Sequence, residues 1–305
     1  MELSCMTEPQ LGGTYDELLA MARWSERNGL HSFARSDHYY SGRDPEPDAT
    51  DAFATLAGLA RETDTIRIAV LVTPVTFRHP AIIGKNAATI DQMSGGRLDL
   101  GLGTGWMEEE HAAFGLPFPS KGERFARLRE AVSYLKAAFS EDHADFDGNY
   151  YRLDASVNPK PQGLRFILGG SGAKRTPTLA GEEADEYNCL IRPAAEIADR
   201  VEVMREAAGD RKVLATAMGG ALVGRTDAEY RDRLERVAAR RKLDADELER
   251  RDVERGMPVG PPSRAAEALA ALEEAGVERY YVQWLEPGDL DGFARTVETL
   301  QQAAS

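Results

Sequence analysis

Short apolar runs alternate with longer segments of helical spacing along almost the whole chain. The runs at residues 2–6, 32–36, 66–72, 98–102, 165–168, 186–190, 213–217 and 279–284 are of strand length and apolar enough to be buried. Between them apolar residues recur every three or four positions. Phe125, Leu128, Val132, Leu135 and Phe139 share one face, as do Ala265, Ala268, Leu269, Leu272 and Ala275. Eight such alternations predict an α/β fold, a TIM-type (β/α)8 barrel, with a doubly wound open sheet as the alternative. Two stretches break the rhythm. At residues 145–153 the turn residues Asp147, Gly148 and Asn149 lie between Phe146 and the pair Tyr150 and Tyr151, which predicts a β-hairpin. Residues 243–262, charged at first and then rich in Gly and Pro, predict a mobile loop before the last helix–strand unit.

In a barrel of this kind every loop that follows a strand gathers at one end, and that rule decides which residues meet. The mouth would be lined by Thr7, Glu8 and Pro9, by Asp37 to Tyr40, by Thr73 and Pro74, by Gly103 to Trp106, by Gly169 to Thr176, and by Asn188. Two of these loops are rich in glycine. Gly95 and Gly96 end a helix in the left-handed conformation; then comes the strand 98–102, and Gly103 and Gly105 leave room for a flat ligand that Trp106 would cover. The alternative is that the glycines serve tight packing. In the second run Gly169, Gly170, Ser171 and Gly172 lead into Lys174, Arg175 and Thr176 at the start of a helix. Helix N-termini present unpaired N–H groups at the positive end of a dipole, so this run reads as a phosphate cradle, or alternatively as a cap beside a solvated Lys-Arg pair. It has neither Walker spacing nor a dinucleotide fingerprint.

The chain has 305 residues, 42% of them hydrophobic, and no Pro/Gly/Ser-rich linker, so residues 1–305 read as one domain. A formal net charge of −14 argues against nucleic acid and anionic membranes as partners, and an anionic cofactor would need local cations such as Lys174 and Arg175. No apolar run reaches membrane-spanning length, and the start of the chain has no leader pattern, so a cytoplasmic location is expected. Cys5 and Cys189, far apart, suit small buried groups on strands better than a disulfide or a zinc site. The absence of His-x-His and His-Glu-x-x-His disfavours a metal-dependent hydrolase, and no metal is expected.

In order along the chain, several segments resemble the bacterial luciferase-like monooxygenase superfamily and, within it, its coenzyme F420-dependent branch. They are Thr7-Glu8-Pro9-Gln10, Arg35-Ser36-Asp37-His38-Tyr39, Leu71 to Pro80, Asp91 to Leu98, Gly101 to Trp106, Gly122-Glu123-Arg124-Phe125, Pro159-Lys160-Pro161, Gly169 to Thr176 and Ala184 to Asn188. The resemblance implies a barrel with F420 or FMN in its mouth. It also implies a non-proline cis peptide at Leu71-Val72 that props the ring, and a histidine at His38 that acts as acid/base or substrate anchor. Met6, Leu71, Val72, Thr73, Thr104, Gly105, Trp106, Gly169, Gly170, Ser171, Gly172, Lys174, Arg175, Thr176 and Asn188 become the expected cofactor-binding residues, with His38 and Asp37 catalytic. Imidazole titrates near neutrality, and Asp37 or a backbone group would set its tautomer; a structural hydrogen bond at the rim is the alternative for His38. The family's sugar-phosphate dehydrogenases carry a glutamate where this chain has Trp106, which argues against sugar-phosphate oxidation. Glu108, Glu109 and Glu110 nearby read as charge bias at a helix start. The expected function is hydride transfer between F420 and a small organic substrate. An FMN monooxygenase fed by a separate reductase and a non-catalytic flavin-binding barrel are the alternatives, and a second copy of the chain is a candidate partner.

Overall fold

The computed structural model describes residues 1–140 and 142–304. Strand β1 (Glu2–Thr7) is followed by α1 (Tyr15–Arg27), β2 (Ser32–Arg35) by α2 (Ala52–Glu62), and β3 (Arg67–Pro74) by α3 (Pro80–Ser94). After β4 (Leu98–Gly103) come a short α4 (Glu108–Ala113), a long α5 (Lys121–Ser140) and the antiparallel hairpin β5 (Ala144–Asp147) and β6 (Arg152–Ala155). The chain then runs through β7 (Arg165–Gly169), α6 (Arg175–Glu183), β8 (Glu186–Leu190), α7 (Ala194–Ala208) and β9 (Leu214–Gly219). An insertion of β10 (Leu222–Val223), α8 (Asp227–Arg241), α9 (Ala245–Glu254) and β11 (Val259–Gly260) precedes α10 (Pro262–Glu274), β12 (Arg279–Trp284) and α11 (Leu290–Ala303).

Strands β1, β2, β3, β4, β7, β8, β9 and β12 pair in parallel around a closed barrel, so the open-sheet alternative is wrong. Each matches its expected run to within two residues. Local chemistry sets the boundaries. Thr14 and Glu17 form a reciprocal capping box at the start of α1, and Gly95, with φ of 71°, closes α3 in the left-handed conformation. The hairpin at 145–153 is present, as are the buried thiols of Cys5 and Cys189 on β1 and β8.

Residues 243–262 are not a loop. Asp244 caps α9 by accepting a hydrogen bond from the Glu247 amide at 3.1 Å, and Leu248 packs with Tyr230, Leu234 and Ala238 of α8 in a small core of its own. Only a few apolar residues in α9 touch anything, so its charged surface hid the helical pattern.

The barrel interior has two halves. Towards the N-terminal ends of the strands Glu186 is held by Arg279 Nη1 at 3.0 Å and Thr216 Oγ1 at 2.8 Å, and Arg67 forks onto Asp99. Towards the mouth the filling is apolar: Met6, Ala34, Ala69, Leu71, Ile167 and Tyr281, with Val72 and Met218 partly exposed above them. The Leu71–Val72 peptide is cis, and the pairing of β3 with β4 slips between Val70 and Thr73. Val72 lies over three glycines. A Cβ at Gly101, Gly103 or Gly169 would come to 2.9, 2.5 or 2.8 Å from a Val72 methyl. Gly103 therefore makes room for Val72, not for a flat ligand, and Gly105, with φ of 75°, faces Thr76 and Pro74.

Gly101→Ala puts its Cβ 2.2 Å from the Val70 carbonyl oxygen and is expected to cost about 1–3 kcal/mol. Gly122→Ala, whose Cβ meets only Ser120 Oγ at 3.9 Å in the first turn of α5, should lose no stability. Urea melts of the two variants check this, and equal midpoints would refute the close-packing account.

Candidate active site at the barrel mouth

Loop residues after β2 and β4 meet at one side of the mouth because the two strands flank β3. His38, 17% exposed at its side chain, hydrogen-bonds through Nδ1 to Glu110 Oε2 at 2.8 Å. The other oxygen of Glu110 accepts from the backbone amides of Tyr39 at 2.6 Å and Tyr40 at 3.1 Å. Glu110 is buried, and its place in the first turn of α4 sets the carboxylate against the β2 loop. A carboxylate on Nδ1 places a proton there and leaves Nε2 as the nitrogen for proton exchange. Burial works against the charged imidazole, but the hydrogen bond and charge of Glu110 outweigh it, and the His38 pKa lies above its ordinary value of 6.5.

Asp37 does not orient His38. Its carboxylate is taken by Arg78, whose Nη1 and Nη2 stand 2.5 and 3.1 Å from the two oxygens. Arg78 also binds Asp51 at 2.7 Å and the Tyr39 hydroxyl, and it donates to Thr73 Oγ1 at 3.3 Å. The expectation that Asp37 is catalytic gives way to a structural role: a half-buried guanidinium recruits the nearest carboxylates, and Asp37 points at it. Thr73 is fully buried in the same cluster. Glu110 and Arg78 were both missed as functional residues. Nothing in a run of three glutamates marks the one that faces inward, although the adjacent buried His111, bonded to Thr76 and Met107, lies on the same side of the short helix.

The floor beside His38 is apolar, made of Met6, Leu71, Val72 and Met218. Trp106 stands above it, 73% exposed, its ring edge-on to His38 with centroids 5.6 Å apart. Thr104 is half-buried and donates to the Gly105 carbonyl. Glu8 reaches the mouth from β1, its oxygens holding Gln10 Nε2 at 2.8 Å and Gln283 Nε2 at 2.6 Å.

Across the mouth β7 ends at Gly169, and α6 begins at Arg175 with no side-chain cap on its first amides. Ser171, Lys174 and Arg175 are exposed there, Thr176 is buried, and a Cβ at Gly170 or Gly172 would crowd Thr176 Oγ1 at 3.2 or 3.4 Å. The Asn188 side chain is buried and donates to Thr216 Oγ1 at 2.9 Å, while its carbonyl accepts from the Gly170 amide. An uncapped helix start with two flanking cations and an adjacent apolar floor fits a flat ring that carries an anionic tail. Among the described residues no cluster of His, Cys, Asp or Glu could hold a metal, and no helix is long and apolar enough to cross a membrane.

Comparison with known proteins shows the family and the fold. The model of the luciferase-like monooxygenase family matches residues 2–279. An F420-dependent glucose-6-phosphate dehydrogenase of Kineococcus radiotolerans is 37% identical over 57% of this chain and 52% of its own length. Its counterpart in Nocardia farcinica is 33% identical over 69% of this chain and 60% of its own. The chain thus spans between half and two thirds of the length of these relatives. Among solved structures, the monooxygenase RslO1 from Streptomyces bottropensis superposes with a TM-score of 0.82 at 19% identity over the full length of both chains. An F420-dependent secondary alcohol dehydrogenase superposes with a TM-score of 0.79 at 18% identity over 98% of both.

Glu110→Gln should lower the titration midpoint of the His38 ring, read by NMR; an unchanged midpoint would remove Glu110 as the cause. Because the folded pKa is raised, the stability that the charged pair adds is complete below about pH 6.5 and is lost as pH rises through the folded value. The stability margin of the wild type over His38→Gln should therefore shrink from pH 6 to pH 8.

Proposed function

The chain belongs to the luciferase-like monooxygenase family, and from that premise we propose that it is an F420-dependent oxidoreductase acting on a small organic substrate. The observation that carries this reading is the placement of three parts around one mouth. An apolar floor under Val72, a cationic helix start at 174–176 and a clamped imidazole at His38 each meet one need of a deazaflavin enzyme. The names of the curated relatives support F420 as the cofactor. The two free thiols suit a reducing compartment such as the cytoplasm.

When bound, the deazaflavin gives or takes a hydride at its C5 carbon. The chain supplies position, dryness and a proton partner. Val72 and Met218, with Met6 and Leu71 packed beneath them, would carry the ring on a water-excluding surface. Gly169, Gly170, Ser171, Gly172, Lys174, Arg175 and Thr176 would receive the phosphate side through backbone amides and cations. Thr104, Gly105 and Asn188 border the two ends of that floor. His38 holds or accepts a proton at the substrate oxygen through Nε2, and Glu110 stabilises the imidazolium without itself exchanging the proton.

Parallel fluorescence titrations with F420 and FMN test the cofactor. F420 is expected to bind more tightly; tighter FMN binding with oxygen-dependent turnover would replace this reading with a flavin monooxygenase that draws on a separate reductase. Gly172→Val and Lys174→Glu should weaken F420 binding at least tenfold with little change in melting temperature, and wild-type affinity in both would show that the loop is only a cap.

His38→Gln should lower turnover by about 10²–10⁴ while F420 affinity stays unchanged, the signature of an interaction made in the transition state. Turnover within a few-fold of wild type would make His38 a rim residue without a chemical role.

A further inference from the structure

Four of the large exposed apolar side chains stand at or beyond the C-terminal ends of the strands: Trp106 after β4, Phe114 at the end of α4, Leu190 closing β8 and Leu285 following β12. Exposed apolar side chains at the rim of a mouth suit a ligand that covers them. Trp106 is the most exposed of them, and it is also the one in edge contact with the His38 ring.

The charges on this side of the mouth have a definite sign. Glu8 is met by two neutral amides, those of Gln10 and Gln283, and, among the described residues, by no cation at salt-bridge distance. Asp37 and Asp51 share Arg78, and Glu110 is matched by His38. Glu108 and Glu109 are exposed beside Trp106. Arg35 is sealed behind β2, its guanidinium spent on Ser36, Thr50, Asp51 and Thr55. The loop at 41–48 sets Arg43 against Asp44, Glu46 and Asp48. A phosphate arriving near His38 would meet an excess of carboxylates, whereas the exposed cations Lys174 and Arg175 lie across the mouth, where the cofactor's own phosphate is placed.

We propose that the substrate is an uncharged, largely apolar alcohol or carbonyl compound whose hydrocarbon body packs on the Trp106 indole while its oxygen meets His38, and that sugar phosphates are excluded. This inference rests on the oxidoreductase reading above and names its substrate class. Trp106 is then a specificity-determining residue: it supplies a flat apolar wall and no charge, so it favours a hydrocarbon body and offers a phosphate no counter-charge.

The test uses cyclohexanol and glucose 6-phosphate as probes. Trp24 and Trp284 both pack on Phe293 of α11, and the Trp106→Phe variant separates their emission from that of Trp106. Cyclohexanol should shift the emission of the wild-type apoprotein saturably and leave Trp106→Phe unshifted, and glucose 6-phosphate should shift neither protein at ten times the concentration. In protein saturated with reduced F420, which cannot oxidise an alcohol, calorimetry should show at least a tenfold loss of cyclohexanol affinity in Trp106→Glu. Trp106 is exposed, so both variants should fold, and a melting curve verifies it. Tighter binding of glucose 6-phosphate, or cyclohexanol affinity unchanged in Trp106→Glu, overturns the proposal. If F420 fails to bind the wild type, the cofactor reading fails instead, and the apoprotein emission still decides the substrate class.

Discussion

A carboxylate shut away from water is stable as an anion only when its lone pairs are filled, and Glu110 is such a group, 1% exposed. Its three donors all come from one short segment, the side chain of His38 and the amides of Tyr39 and Tyr40. The first turn of α4 and the loop after β2 are thus held as one body. The Tyr39 ring, fixed by its amide, stacks on Phe77 at 5.4 Å and brings its hydroxyl to Asp51 and Arg78. Arg78 in turn collects Asp37. The imidazole's orientation, its preference for the charged form and the arrangement of the neighbouring acids descend from one buried anion.

The second constraint is steric. Val72 can lie over the interior only because Gly101, Gly103 and Gly169 lack side chains there. The glycines of β4 and β7 therefore act at one remove from any ligand: they admit a valine, and the valine with Met218 makes the upper surface of the floor. Below it the barrel turns polar, and Glu186, wholly enclosed, is pushed up to about 7 by burial although Arg279 opposes the shift. Such a group suits the closed end of the barrel, where no ligand has to be received.

The eight strands were legible because each is a short apolar run between clear turn residues, and alternation with helical segments left few topologies to consider. The hairpin was legible from Asp147-Gly148-Asn149. Helix α9 was not, since a helix that buries chiefly Leu248 shows almost no periodicity against its charged residues. At the site, His38 and the loop at 169–176 stood out by residue type. The partner of His38 did not: Asp37 is adjacent in sequence, Glu110 lies 72 positions away, and proximity in the chain pointed to the wrong acid. Gly103 was read as space for a ligand because a single sequence does not show which side chain fills a glycine hollow.

The insertion made by α8 and α9 closes over Leu222, Tyr230, Leu234, Ala238, Leu248 and Val259, apart from the main core. A polar strut joins it to the rest: Arg233 reaches the Val223 carbonyl at 3.0 Å and Thr296 of α11 at 2.7 Å. A unit with its own small core and few shared apolar contacts has a local opening energy below that of the whole fold. Its amides are expected to exchange with solvent hydrogen sooner than those of the barrel strands, which makes the rim near β9 and β12 the first part of the fold to open.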